Sequence, residues 1–317
     1  KNQTSDENYK NIEKNIKETF ISLNNESIEE KKYSKQKNLE NPKSNTSKDE
    51  YFEMVKKARE YIIAGDIFQV VPSQRFFTPF KISPFKLYES LRKINPSPYM
   101  YYLDLEDFYI VGSSPETLVK TENNKITIKP IAGTRLKKKY PNRELEKELL
   151  SDPKERAEHL MLLDLGRNDV GRVAKIGSIK VKNPFSIQET SNLIHIVSTV
   201  EGDLREDEDQ ISSLSAGFPA GTVSGAPKIR AMEIIDELEK EKRGIYAGAV
   251  GYFSANGDMD TAIALRTAII KDEMMYVQAG GGVVYDSNEE YEYNETVNKS
   301  QALFKAAKDA ILNNLKE

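Results

Sequence analysis

Apolar and polar positions alternate along this chain with two different periods. Near its start, Tyr9, Ile12, Ile16, Phe20 and Leu23 recur three or four residues apart. Thr4 and Glu7 precede them at capping-box spacing, so one amphipathic helix is expected there. Two readings of that helix stay open: it docks on other material, or it is largely solvated. Residues 24–48 are polar and read as linker. Residues 1–49 together are therefore expected to form a polar linker or a residual N-terminal segment, with one folded domain over 50–317.

From residue 47 the pattern sharpens. Ser47 and Glu50 form a second capping box ahead of "YFEMVKKAREYIIAG", a helix ending near Gly65. Strand-like runs follow in "IFQVVPSQRFF", "PYMYYLDL", "FYIVGSS" and "KITIKPIAGT". Pro72 lies inside the first of these, so that strand is expected to be an edge or to bulge there. Asp152 caps the next helix, with Pro153 at its first position. Further strand signals are "SIKVKNPF", "HIVSTVEG", "YAGAVGYFS" and "MMYVQAGGGVVYD". Helices are expected from about Pro227 to Lys242 and from about Asn288 onwards. Strands come in runs between helices without a regular βαβ alternation. That pattern points to an α+β fold with large antiparallel sheets.

Composition removes several classes of function. The 46 basic and 50 acidic residues give a formal charge of −4, which offers no attraction for nucleic acid or an anionic membrane surface. No apolar run reaches the length of a membrane span and no signal peptide is visible, so a cytoplasmic protein is the simplest expectation. The start at Lys1 reads as a fragment or a processed form. There is no cysteine, which excludes disulfides, thiolate metal sites and cysteine nucleophiles. His159 and His195 are the two histidines. Any metal site must then rest on carboxylates, which favours a hard cation with oxygen ligands.

Six features are candidates for chemistry. Glu292 and Glu295 are three apart and Lys299 follows four later, so all three share one helix face. Glu155 and Glu158 repeat the acidic spacing; Glu155 can also complete a capping box with Asp152, whereas Glu158 has no such local role. "AGTVSGAPK" looks like a phosphate loop but lacks the Gly-Lys-Ser/Thr that such a loop needs, and a tight turn feeding a helix is the better reading. "QAGGGVV" puts Gly280, Gly281 and Gly282 in a strand pattern, which suggests a bulge or close approach of a ligand or another backbone. Arg266 is a lone charge in "TAIALRTAII" and wants a bidentate carboxylate, internal or on a substrate. His195 sits among apolar residues, where a satisfied core histidine is the usual explanation.

Read together, "PIAGTR", "ERAEHLMLLDLGRNDVGRV", "GFPAGTVSGAPKIRAMEII", "YAGAVGYFS", "DTAIALRTAII" and "EYEYNETVNK" closely resemble the chorismate-utilising enzymes, in order and with the expected spacing from about residue 50. Within that family the branch that makes anthranilate is the most similar. The resemblance implies a four-layer α/β/β/α sandwich whose two large, mainly antiparallel sheets enclose the active site. It implies Mg²⁺ held by Glu158 and Glu295, with Glu155 and Glu292 behind them. Chorismate contacts would fall to Gly133, Thr134, Tyr246, Arg266 and the backbone of Gly280, Gly281 and Gly282, with Lys299 facing the same space. Glu116 matches the general acid for the departing C4 hydroxyl. His195 matches a histidine that assists loss of that hydroxyl or the later elimination. Gln69 stands where isochorismate and salicylate synthases carry a water-activating lysine, and Ala132 where aminodeoxychorismate synthases often carry a nucleophilic one.

The implied reaction is therefore ammonia addition to chorismate, then loss of pyruvate to give anthranilate, the first committed step of tryptophan biosynthesis. A separate glutamine amidotransferase subunit would supply the ammonia. The family's longer N-terminal portion is absent here. It supplies half of an L-tryptophan feedback site whose other half resembles "NPSPYM", including Pro98, Tyr99 and Met100. Gly281 replaces a usual alanine.

Overall fold

The computed structural model describes residues 5–25, 33–137, 143–189 and 193–315. Contacts divide the chain into two units, Lys1–Ser34 and Lys35–Glu317. In the first, helix α1 (Ser5–Asn25) leaves Tyr9, Ile12, Ile16 and Phe20 exposed. Its expected cap, Thr4, lies outside the described residues.

The second unit begins well before residue 50. Gln36 is buried, donates to Pro79 O and accepts from Lys81 N. Strand β1 (Lys43–Ser44) pairs with Phe76 and Phe77. Residues 35–47 are thus fastened to a sheet edge by hydrogen bonds, and their polar composition conceals it. Helix α2 (Lys48–Ala64) then starts on Ser47 with both capping-box bonds formed and stops at Gly65 in the left-handed region.

Two sheets carry the body. The first runs β1, β3 (Ser73–Pro79), β15 (Met274–Gly280), β14 (Thr267–Lys271), β5 (Tyr109–Ser114) and β4 (Tyr99–Asp104). The second runs β12 (Ala249–Phe253), β13 (Met259–Ile263), β6 (Thr117–Glu122), β7 (Lys125–Ile128), β10 (Leu193–Asp203) and β8 (Ile131–Leu136), with β9 (Lys180–Glu189) also on β10. Short β2 (Gln69–Val70) pairs with β11 (Gly225–Ala226). Every pairing between these strands is antiparallel. The strand expected across Pro72 breaks there, and Pro72 O accepts instead from Tyr51 Oη and Gly281 N.

Helices cover one face of each sheet. Leu87 and Leu91 of α3 (Pro84–Ile94) and Leu303, Ala307 and Ile311 of α8 (Glu289–Asn314) share a core with Val111, Ile270 and Val277 of the first sheet. Leu163 and Val170 of α5 (Pro153–Gly171) and Ala216 of α6 (Gln210–Gly217) share one with Val119, Ile126 and Val200 of the second. Helix α4 (Arg143–Ser151) caps the second sheet through Leu145 and Leu149. Helix α7 (Lys228–Leu238) packs on α2. The remaining face of each sheet borders a common cavity, which gives the expected helix, sheet, sheet, helix order. No helix among the described residues is long and apolar enough to cross a membrane.

Candidate active site

The cavity has a volume of about 550 Å³. Gln278, Ala279 and Gly280 reach it from the first sheet, Ile131, Ala132, Gly133 and His195 from the second. Glu158 comes from α5, and Glu295 and Lys299 from α8.

One end is acidic. Gln69 Nε2 lies 3.3 Å from Glu158 Oε1, and Lys299 Nζ bridges Glu295 (2.6 Å) and Gly280 O (2.9 Å). Burial raises the Glu158 pKa, and the like charges of Glu155 and Glu295 add to it. The two outer glutamates do not line the cavity. Glu155 is held 2.7 Å from Arg135 Nη1, whose other nitrogens reach Asp152 and Glu148. The capping box proposed for Glu155 therefore does not form: Asp152 accepts from Lys154 N and Glu155 N, while its own N–H donates to Glu148 O. Glu292 accepts from Ser287 Oγ at 2.7 Å. Burial, with Glu295 alongside, pushes its pKa up to about 7.

No three acidic or histidine side chains among the described residues already converge closely enough to hold a metal ion. The donor chemistry nevertheless fits a hard cation. The set is all oxygen, its inner members repel, and Glu292 Oε2 and Gln69 Oε1 are buried without a hydrogen-bond partner among the described residues. Of the four glutamates, Glu158 and Glu295 line the cavity and could hold such an ion.

The rest of the cavity is built for an anionic, polar guest. Arg266 sits between β13 and β14 at φ +48°, a backbone strain that turns its side chain towards the cavity. Tyr246 is buried beside it, its hydroxyl hydrogen-bonded by Gly280 and raised to about 12 by burial. A Cβ on Gly280 would lie 2.9 Å from that hydroxyl and from Pro72 O, so only glycine fits. Glu116 accepts from Thr222 Oγ1 at 2.7 Å, and burial raises its pKa to about 7. A carboxylic acid there keeps its proton near neutral pH. Register slips between His195 and Ile196, and Gly133 is the extra residue, at φ +69°. The bulge lets His195 Nδ1 donate to Gly133 O at 3.1 Å, which in the neutral ring leaves the lone pair on Nε2. Burial, helped by Arg266, lowers the His195 pKa.

Most of the site residues named from sequence meet in this space, but not all. Gly281 packs behind it against Glu292 and Tyr51. The side chain of Thr134 lies outside the described residues. Of the segment expected to serve feedback, Asn95 to Pro98 line the cavity. Tyr99 instead bonds Thr117 and Asp260, and Met100 packs on the first sheet's core. Sequence reasoning missed Thr222 and the rim residues Gln188 and Glu189. The signal for Thr222 was the unexplained remainder of "AGTVSGAPK". In that string Lys228 is no phosphate ligand: its Nζ lies 2.9 Å from both oxygens of Asp169.

The profile of the family described as chorismate binding enzyme matches residues 1–305. The chain belongs to that family. Curated relatives of the chorismate-binding family are similar over most of its length. Anthranilate synthase component 1 of Cereibacter sphaeroides is 61% identical over 270 residues, 84% of this chain and 54% of the relative. That of Aquifex aeolicus is 57% identical over 274 residues, 86% of this chain and 56% of the relative. The crystal structure of anthranilate synthase component I from Streptococcus pneumoniae superposes with a TM-score of 0.85 at 43% identity, over 95% of this chain and 67% of that one. This chorismate-binding chain thus spans about half the length of the curated relatives it matches.

Proposed function

We propose that this chain converts chorismate and ammonia to anthranilate and pyruvate, with Mg²⁺. The observation that carries the reading is the lining of one cavity. It holds a paired-carboxylate end, a buried guanidinium, and an acid that keeps its proton near pH 7, with glutamine at 69 and alanine at 132 where sister branches carry lysine. The high identity to anthranilate synthases supports the same reading.

Arg266 pairs with the enolpyruvyl carboxylate of chorismate. Ammonia adds at C2. Glu116 gives its proton to the C4 hydroxyl, which leaves as water. His195, neutral because burial lowers its pKa, then assists the elimination that removes pyruvate and makes the ring aromatic. Glu158 and Glu295, with Glu155 and Glu292 behind, would hold Mg²⁺, which would supply positive charge at the acidic end of the cavity for the ring carboxylate of chorismate.

Ammonia comes from a partner. Glutamine hydrolysis of the usual kind needs a cysteine thiolate, and this chain has no cysteine. A separate glutamine amidotransferase subunit fits that gap, in the cytoplasm. L-tryptophan is the feedback effector this reading proposes, acting through the segment at Asn95 to Met100. The test is a two-by-two assay with chorismate and Mg²⁺: ammonium or glutamine, with or without the amidotransferase subunit. Fluorescent anthranilate is expected from ammonium in both arms, and from glutamine only with the partner. Glutamine-dependent product from the chain alone refutes the partner assignment. An isochorismate or aminodeoxychorismate spectrum refutes the product assignment.

A further inference from the structure

Arg243 lies in the turn after α7, outside the cavity, yet it holds three pieces of the cavity wall. Its Nη1 donates to Val223 O at 2.6 Å and its Nη2 to Val71 O at 2.5 Å. Its guanidinium lies 5.4 Å from the centre of the Tyr246 ring. Val71, Val223 and Tyr246 all line the cavity, and they come from three separate stretches of chain. The remaining donors, Nε and Nη2, clasp Glu239, whose carboxylate in turn accepts from Ser73 N and Oγ at 2.8 Å. The ion pair is buried, with side-chain exposures of 16% and 6%. A buried pair of this kind adds little net stability against an apolar substitute, so stability alone is a weak account of it. The guanidinium fork, by contrast, fixes directions that a flexible side chain cannot.

We infer that Arg243 is a positioning residue: by tying Val71, Val223 and Tyr246 together it fixes the wall against which the enolpyruvyl end of the substrate rests beside Arg266. This rests on the function proposed above. It assigns Arg243 to the second half-reaction. There the C2–H proton leaves, the C3–O bond breaks, and the electron pair departs with enolpyruvate, which takes up a proton to become pyruvate. That step breaks the bond between C3 and the enolpyruvyl oxygen and needs that group held still, whereas ammonia addition at the neighbouring C2 leaves the bond intact. A loosened wall therefore lets the amino adduct escape before it loses pyruvate.

The experiment compares Arg243→Lys with Glu239→Gln in the full chain with Mg²⁺. Lysine keeps a charge for Glu239 but cannot hold two carbonyls and lie along the Tyr246 ring together. Arg243→Lys is expected to raise the chorismate Kd by calorimetry, and KM with ammonium, roughly tenfold. A clear share of consumed chorismate should appear as free amino adduct, seen by mass as chorismate plus ammonia minus water. Glu239→Gln leaves both carbonyl contacts and should keep Kd, KM and product partition within about twofold of the parent. Parent-like values in Arg243→Lys overturn the inference. So does an equal change in Glu239→Gln, which would mark the pair as a fold clamp only. Should Arg243→Lys not fold, Arg243→Gln, whose amide reaches one carbonyl, carries the same comparison. A parent that binds chorismate but makes no anthranilate refutes the proposed reaction and leaves the Kd comparison to decide on Arg243.

Discussion

Helices α5 and α8 each carry two glutamates three apart, and they treat the outer one differently. On α5, Glu155 is met by Arg135, which Asp152 and Glu148 also hold in place. On α8, Glu292 is 4% exposed, has a single hydroxyl donor in Ser287, and sits beside Glu295 with its pKa near 7. One outer carboxylate is met by a fixed guanidinium; the other is buried beside a like charge, and burial raises its pKa. Spacing sets which side chains share a helix face. What lies across from that face sets what each carboxylate meets.

The comparison breaks first at its common element, the inner pair. Glu158→Gln or Glu295→Gln should lower Mg²⁺-dependent turnover roughly 10²–10³-fold while the thermal midpoint holds. Near-normal turnover at ordinary Mg²⁺ in either variant would remove the metal from the account. Next comes the guanidinium that pairs with the outer glutamate of α5. Arg135→Leu strands Asp152 and Glu155 and should cost about 1–3 kcal/mol in urea unfolding, the lower part of that range reflecting their partial exposure. Glu155→Gln, which still accepts from Arg135, should cost under about 1 kcal/mol. Equal losses would mean that the guanidinium is not the clamp.

Glu116 sharpens the contrast as a second carboxylate held near pH 7, proposed above as the working acid. Its protonated form dominates below about 7 and falls tenfold per pH unit above it. Free ammonia rises tenfold per unit until the ammonium pKa, roughly 9–10 as for simple amines. At fixed total ammonium the two slopes cancel, so turnover should climb to about pH 7 and then level off. Thr222→Val removes the donor that favours the ionised form, and should move the break to higher pH. A rate still climbing tenfold per unit at pH 8.5, on the order of a free-ammonia titration, would exclude Glu116 as the acid. The smallest effect is expected at the buried outer position. Glu292→Gln keeps the Ser287 contact and should change turnover less than about threefold and stability less than about 1 kcal/mol. A large loss there would show that Glu292 is ionised in the working protein.

Local features of the fold were legible because local chemistry makes them. Ser47 with Glu50, Asp152 with Pro153, and Asn288 mark helix starts in the sequence and do so in space. Interruption at Pro72 followed from its missing N–H. The segment at 35–47 was not legible, since its hydrogen bonds go to Pro79, Phe76 and Phe77, far along the chain. Helix α6 was missed for a related reason: "QISSLSAG" is short and small-sided, and Asp209 with Ser212 starts it by a box less familiar than Ser with Glu. In the site, residue types and spacing pointed to Glu158, Glu295 and Arg266. They could not reveal Thr222 on Glu116, or the bulge at Gly133 that turns His195, because both depend on registers between distant strands. The partner of Glu155 was misassigned on the same ground: the box with Asp152 is what proximity in sequence suggests, and Arg135 is what the sheet delivers.

Helix α8 carries Glu292, Glu295 and Lys299 near its start and Leu303, Ala307 and Ile311 further on, the latter sunk in the first sheet's core. Acidic side chains and core anchor are thus carried on one helix. A ribosome adding roughly 5–20 residues per second finishes α5 long before α8 appears. Until then Glu158 has no counterpart, and the first sheet has α3 alone as cover, so Val277, Ile270 and Val111 lack the α8 side of their core. Completion of the first sheet's core and the meeting of the two acidic helices should therefore fall at the same moment of synthesis, when this one helix docks.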